Sequence, residues 1–235
     1  MDLRNKGTLL TYYFTPLVFF FVMGSVFTST SPLMKSTLAA SMTIFSVTMG
    51  AIMGAPTPLV KMRESGTMRA YKVSGIPSGS TLAVSAFSAF IHLFIVSVII
   101  YVVSRVAFHS DLPIAPGLYF AILAVFLFAS VGIGMLIGVC ARGHSFASML
   151  SMIVFLPSLL LSGIMFPASM LPSSLIWIGR ILPATYALQS FYGYAYRKET
   201  DINAGVSLII IAGIGVIMFS LAAWQLNRIS KSEQM

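Results

Sequence analysis

The sequence predicts an all-α integral membrane protein of six transmembrane helices, and three observations carry that prediction. Only 9% of the 235 residues are charged and 57% are hydrophobic, whereas about a quarter of the residues of a soluble domain are charged. Mean hydropathy is +0.93. The apolar residues are gathered into six runs, each at or near the roughly twenty residues that a helix needs to cross the hydrocarbon of a bilayer.

The runs extend from Tyr12 to Thr28, Leu38 to Leu59, Leu82 to Phe108, Leu118 to Ala141, Phe146 to Leu161 and Val206 to Trp224. The first follows Arg4 and Lys6 as a signal peptide would, but it is long and lacks a convincing small-x-small cleavage site, so it is expected to remain as an anchor. The fifth is short and carries Pro157. Behind it comes SGIMFPASMLPSSLIWIGRILPATYAL, residues 162–188, apolar but interrupted by Pro167, Pro172, Arg180 and Pro183. A lipid-exposed helix could not hold those breaks, because the freed backbone groups would have no partner. A re-entrant or interfacial helical hairpin, packed on protein, is therefore expected between the fifth and sixth spans.

An even number of crossings puts both ends of the chain on one side, and basic residues mark which side is cytoplasmic. The N-terminus, the connector after the second run, the Arg142 turn and the C-terminal tail hold Arg4, Lys6, Lys61, Arg63, Arg69, Lys72, Arg142, Arg228 and Lys231. The opposite loops hold Lys35, Arg180, Arg197 and Lys198, with Arg105 near that face and able to snorkel outward. Both termini are expected in the cytoplasm. The net charge of +8 is thus a topology signal; the basic residues form no continuous patch, and no nucleic-acid partner is expected.

The single cysteine, Cys140, excludes an internal disulfide and a cysteine-based metal site, and it reads as a small apolar filler. The acidic residues Asp2, Glu64, Asp111, Glu199, Asp201 and Glu233 all lie outside the six runs. Proton-driven carriers keep a carboxylate or charged relay within the membrane, where an ionisable group is kept for a purpose. An intramembrane aspartyl protease would need two such acids, and an HExxH zinc protease histidines four apart; neither pattern occurs, so no catalytic and no metal-binding residue is assigned. His92, deep in the third run, reads as a helix-to-helix hydrogen bond or, alternatively, a substrate or proton site. His109 and His144 fall in loops. Paired glycines at Gly50 and Gly54, Gly134 and Gly138, and Gly213 and Gly215 mark places where helices can approach closely. No repeat relates the two halves, which argues against a carrier built from inverted repeats.

Lys61 to Pro77, KMRESGTMRAYKVSGIP, is a polar connector between two long apolar runs. The chain has no GxxxxGK[ST] phosphate-binding loop. A transporter without a proton relay or an ATP site needs an external motor, and this connector is where a soluble partner would deliver mechanical work.

These features together resemble the membrane subunits of ABC-2 type ATP-binding cassette exporters, over nearly the whole chain. The resemblance rests on six spans with a long polar gap only after the second, and on the RESGT run of Arg63 to Thr67 followed by Tyr71 and a Ser-Gly-Ile-Pro turn. Above all it rests on residues 162–187, where SGIMFP, MLP and LPATYAL place Pro167, Pro172, Pro183, Tyr186 and Ala187 at the family's offsets. It implies that the connector forms a cytoplasmic coupling helix seated in a groove of an ATPase subunit, with Lys61, Arg63, Glu64, Thr67, Met68 and Tyr71 as contact residues. It further implies that ATP and Mg are bound by that partner, that this chain binds no cofactor, and that two permease copies, identical or related, pair in the membrane. The competing reading of the connector is a solvated turn whose charges only fix topology. The chain departs from the family pattern at its start: Met1 to Thr11 precede the first span, where many relatives carry an amphipathic interfacial helix of a few turns, so that element is one short turn or the true start lies upstream.

In such exporters the second and fifth spans of two subunits line the central path. Thr43, Ser46, Gly50, Gly54 and Thr57 share one helical face of the second run, with Met42, Phe45, Met49 and Met53 on a neighbouring one. The second set would make a soft, adaptable wall for lipophilic cargo. On the fifth run Ser148, Met152, Phe155, Leu159 and Ser162 align similarly. Lipid-facing or packing residues give the same pattern. Pro167, Leu171 and Pro172 would lie at the outer leaflet as an external gate or a structural cap. The function expected is export of a drug, lipid, peptide or glycan-like substrate across the cell membrane, here a bacterial inner membrane, on ATP hydrolysed by a separate subunit. An ATP-independent channel or scaffold is the alternative, and co-purification of an ATPase separates the two. A membrane enzyme acting on lipids would want intramembrane acids or paired histidines.

Overall fold

The computed structural model describes residues 6–30, 32–166 and 170–232, and among these there are helices and turns but no strand. Six helical stretches are long and apolar enough to cross a membrane: Leu10–Ser29, Leu38–Glu64, Gly79–Phe108, Pro116–Cys140, His144–Leu161 and Ala204–Ile229. They are spans 1 to 6. Span 1 is carried by a π turn (Leu10–Phe14) and α2 (Thr15–Thr30), with α1 (Lys6–Leu9) ahead of it and α3 (Pro32–Ser36) after it. Span 2 joins α4 (Leu38–Met49), a second π turn (Gly50–Gly54) and α5 (Pro56–Glu64). The short α6 (Thr67–Val73) lies in the connector. Spans 3, 4 and 5 are α7 (Ser78–Phe108), α8 (Pro116–Cys140) and α9 (His144–Leu161). The hairpin supplies α10 (Ser173–Gly179), α11 (Pro183–Ser190) and a third π turn (Phe191–Ala195), and α12 (Ala204–Ser232) carries span 6.

Span 2 is the hub. Of its most apolar window 89% is buried, against 22% for spans 5 and 6. A helix surrounded by protein has no solvent face, so its residues need no amphipathic stripe. Small side chains let the neighbours in. A Cβ on Gly134 of α8 would stand 2.0 Å from the carbonyl oxygen of Ala51, and one on Gly138 would stand 3.1 Å from Cα of Pro56. Tyr12 fills the notch left by Gly50 and Gly54 on another side of the same helix. On its far side α8 packs along α12, where the Phe128 and Phe219 rings stack with centroids 4.8 Å apart.

Several polar groups inside the bundle are paired across spans, where no water is present to satisfy them. The Ser151 hydroxyl of α9 donates to the Ile52 carbonyl, 2.6 Å away in the π turn of span 2. Tyr119 of α8 donates to the Ala39 carbonyl at 3.2 Å and lies 2.9 Å from the Thr43 hydroxyl. The Tyr13 hydroxyl stands 2.8 Å from Nδ1 of His92, and the Tyr12 ring stacks on the same imidazole. His92 thus sits in a helix-to-helix hydrogen bond. Arg105 is held at its own helix end, its guanidinium donating to the Ser110 carbonyl at 3.2 Å.

In the hairpin, Pro183 takes the first position of α11, where its missing N–H has no partner to lose. Two side chains bond to carbonyls at the α10–α11 break: Thr185 donates to Gly179, which also accepts from the Leu182 amide, and Tyr186 donates to Arg180, both side-chain bonds at 2.6 Å. The two helices differ in exposure. The α11 helix buries Ala184, Ala187 and Leu188, whereas α10 and the residues just after it expose Trp177, Ile178 and Ile181. The hairpin therefore packs one helix on protein and lays the other at the rim, with the Arg180 guanidinium over the Trp177 ring at 4.6 Å.

Candidate functional site

The connector between spans 2 and 3 is punctuated by two Ser-Gly pairs. Span 2 does not stop at Leu59, where the apolar run ends, but continues through Lys61 and Arg63 to Glu64. Gly66, with φ of +72°, then ends the helix, and the Ser65 amide donates to the Lys61 carbonyl at 3.0 Å. A second turn closes α6: Gly75 has φ of +80° and the Ile76 amide donates to the Tyr71 carbonyl at 2.9 Å. The helix expected over the whole RESGT segment is thus two pieces, the end of span 2 and the separate α6.

The six residues assigned to coupling divide between those pieces. Lys61 and Glu64 are exposed, Arg63, Thr67 and Met68 are half-buried, and Met68 packs against the main core. Tyr71 is 40% exposed. Arg63 and Glu64 reach sideways within the chain. The Arg63 guanidinium donates to the carbonyls of Gly138 and Val139 at the end of α8, the latter at 3.0 Å. The Glu64 carboxylate accepts from the His144 amide, 3.0 Å away at the start of α9. Two residues missed in the sequence stand out beside Tyr71: Val73 is 89% exposed and Ile76 is 41% exposed. Their signal was present, as uncharged branched side chains in a polar stretch.

The path residues separate by depth. Thr43 and Ser46 are fully buried within this chain, Thr43 against Tyr119. Met49 and Met53 are half-buried at the core's edge. On α9, Phe155 is buried against Phe45, Leu159 is half-buried, and Ser148 and Met152 are exposed. Met149, Met152, Ile153, Leu156 and Leu160 make one exposed apolar face of that helix. At the other end of the molecule a cavity of about 640 Å³ lies between the start of span 2, the end of span 5 and the hairpin. Of the gate residues, Leu171 lines this cavity, Pro172 caps α10, and Pro167 lies outside the described residues. Thr37, Arg180, Gln189, Glu199 and Asp201 give the cavity its polar lining. Near it the Lys198 ammonium donates to the Ser36 hydroxyl. Burial pushes its pKa down, with the Asp111 carboxylate opposing the shift.

The family model for the ABC-2 type transporter matches residues 2–196, spans 1 to 5 and the hairpin included. The chain belongs to the ABC-2 type transporter family. This ABC-2 membrane protein is accordingly a transport permease, all-α and multi-pass. No curated protein matches its sequence. The hairpin that carried the resemblance in sequence has a physical reason for its letters in the ABC-2 permease: the Thr185 and Tyr186 of LPATYAL tie α11 back to carbonyls at the end of α10.

Proposed function

We propose that this ABC-2 permease is the membrane half of an exporter, driven by ATP and Mg bound to a separate nucleotide-binding subunit that docks on α6. The observation carrying this reading is the surface of the connector: Tyr71, Val73 and Ile76 are exposed on a short helix and its closing turn, and Lys61 is exposed near the end of span 2. Large apolar side chains clustered in water mark interaction sites, and a rigid helix bounded by two glycine turns can carry a push. In this reading the connector and both termini face the cytoplasm of a cell carrying the protein in its inner membrane. A second permease copy covers the exposed face of α9, and cargo leaves between the two α9 helices, past the methionines Met49, Met53 and Met152, toward the cavity by Leu171. That soft apolar wall suits a lipophilic drug, lipid, peptide or glycan-linked lipid.

The test is capture of an ATPase from native membranes by the tagged permease. Wild type is expected to retain a nucleotide-binding subunit, and Tyr71→Ser with Val73→Ser to weaken its binding by about tenfold or more. Unchanged binding by that variant removes α6 as the docking element. Absence of any ATPase with wild type favours an ATP-independent channel or scaffold.

A further inference from the structure

We infer that Arg63 and Glu64 form a two-sided clamp that binds the end of span 2 to the turn between spans 4 and 5, so that these three helix ends move as one body. The inference deepens the proposed function by assigning how a push on α6 would spread, and its direction of transmission rests on that reading. The clamp itself does not.

The last carbonyls of a helix and its first amides have no partners within the helix, and the two ends carry partial charges of opposite sign. The turn between α8 and α9 is only Ala141, Arg142 and Gly143, so a carbonyl end and an amide end lie side by side. The turn supplies no side-chain cap of its own to α9, whose N-cap is Gly143. Span 2 supplies both from outside. Arg63 places its planar fork of donors on two successive carbonyls, Gly138 and Val139, which a guanidinium does and an ammonium does not. Its neighbour Glu64 places a carboxylate on the His144 amide. A Cβ on Gly143 would stand 3.2 Å from the carboxylate oxygen, so a larger residue there would crowd the contact. Each charge meets the helix end of opposite polarity. The order Arg-Glu is therefore not interchangeable with Glu-Arg: reversed, both side chains meet a helix end of their own sign.

Only Ser65 and Gly66 separate Glu64 from the start of α6, and of the two Gly66 has the left-handed backbone. A displacement of α6 thus reaches the clamp through a short turn, and the clamp hands it to α8 and α9 at once. Arg63 and Glu64 are positioning residues in this scheme, and docking falls to Tyr71, Val73 and Ile76.

The swap Arg63→Glu with Glu64→Arg decides the matter, since it preserves the connector's net charge and composition. In the purified permease in lipid nanodiscs, hydrogen exchange at the amides of residues 144–147 is expected to quicken about tenfold, the equivalent of losing one charge-assisted bond of ~1.4 kcal/mol. Exchange along α12 should not change. Glu64→Gln, which keeps a carbonyl acceptor for the His144 amide, should stay within about threefold of wild type, whereas Glu64→Ala should quicken as the swap does and covers the case in which the swap does not fold. Wild-type exchange in the swap, or in Glu64→Ala should the swap be unfolded, overturns the clamp. With the captured ATPase, the swap should bind normally and lose permease-stimulated ATP hydrolysis. Weakened binding with unchanged exchange would make the pair a docking element and overturn the clamp as well. Failure of wild type to capture an ATPase would sink the exporter reading alone, and the exchange measurement would still decide the clamp.

Discussion

Gly134 sets how closely spans 2 and 4 approach. Any side chain there meets the Ala51 carbonyl at 2.0 Å, a backbone atom that cannot rotate away, so Gly134→Ala should destabilise the permease by about 1–3 kcal/mol or more. Gly213 has nothing within 4 Å, and Gly213→Ala should be neutral or stabilise by about 0.5–1 kcal/mol through helix propensity. Thermal unfolding of the two variants side by side checks this. In sequence the two glycines look alike, each near another glycine in an apolar run; spacing announces that helices can touch, and only the crossing shows which ones do. The same limit applied to His92. Its role as a helix-to-helix bond was legible from an imidazole in an apolar run, but its partner Tyr13 lies 79 positions away and could not be read. Ser151 gave no signal at all, because its acceptor is the Ile52 carbonyl of a π turn. Ser151→Ala removes that buried bond between two spans and should cost about 0.5–1.5 kcal/mol in the same assay.

Among the elements, the spans were legible because lipid imposes a length on every apolar run. The ends were less so. Span 2 overran its apolar run by a turn because Lys61, Arg63 and Glu64 are good helix formers, and charge alone was read as loop. The hairpin was legible from its prolines, since buried backbone must find partners; its unequal division into a packed α11 and a rim-lying α10 was not, for both are apolar. If Thr185 and Tyr186 hold the break together, Thr185→Val with Tyr186→Phe should destabilise it by about 1–3 kcal/mol, seen as faster exchange over residues 179–190 with spans 3 and 4 unchanged. Lys198, on the neighbouring loop, gives that end a pH dependence. Burial lowers its folded pKa below 10.5, so the charged form opposes folding and the unfolded chain holds the proton more tightly. Loop stability should therefore rise as pH rises through the folded pKa toward 10.5, and Lys198→Gln should flatten the rise. Limited proteolysis of the loop across that range measures it.

At the scale of the molecule, the permease is a bundle arranged around span 2, with spans 1, 5 and 6 exposing most of their surface. That arrangement was hidden in a sequence where every run is apolar, and hydropathy cannot tell lipid from protein as a neighbour. The six spans are not equal in reach. At about 1.5 Å per residue, the 30 residues of span 3 extend ~45 Å, while the 18 of span 5 extend ~27 Å, less than the ~30 Å hydrocarbon thickness. The Trp177 and Ile181 side chains float the chain at the far end of that short helix. The surrounding lipid must then thin on this flank and thicken or tilt elsewhere. Acyl-chain length becomes a control on the protein: reconstituted with short-chain lipids it should unfold at a higher temperature than with long-chain ones, and span 5 should be the helix whose exchange responds.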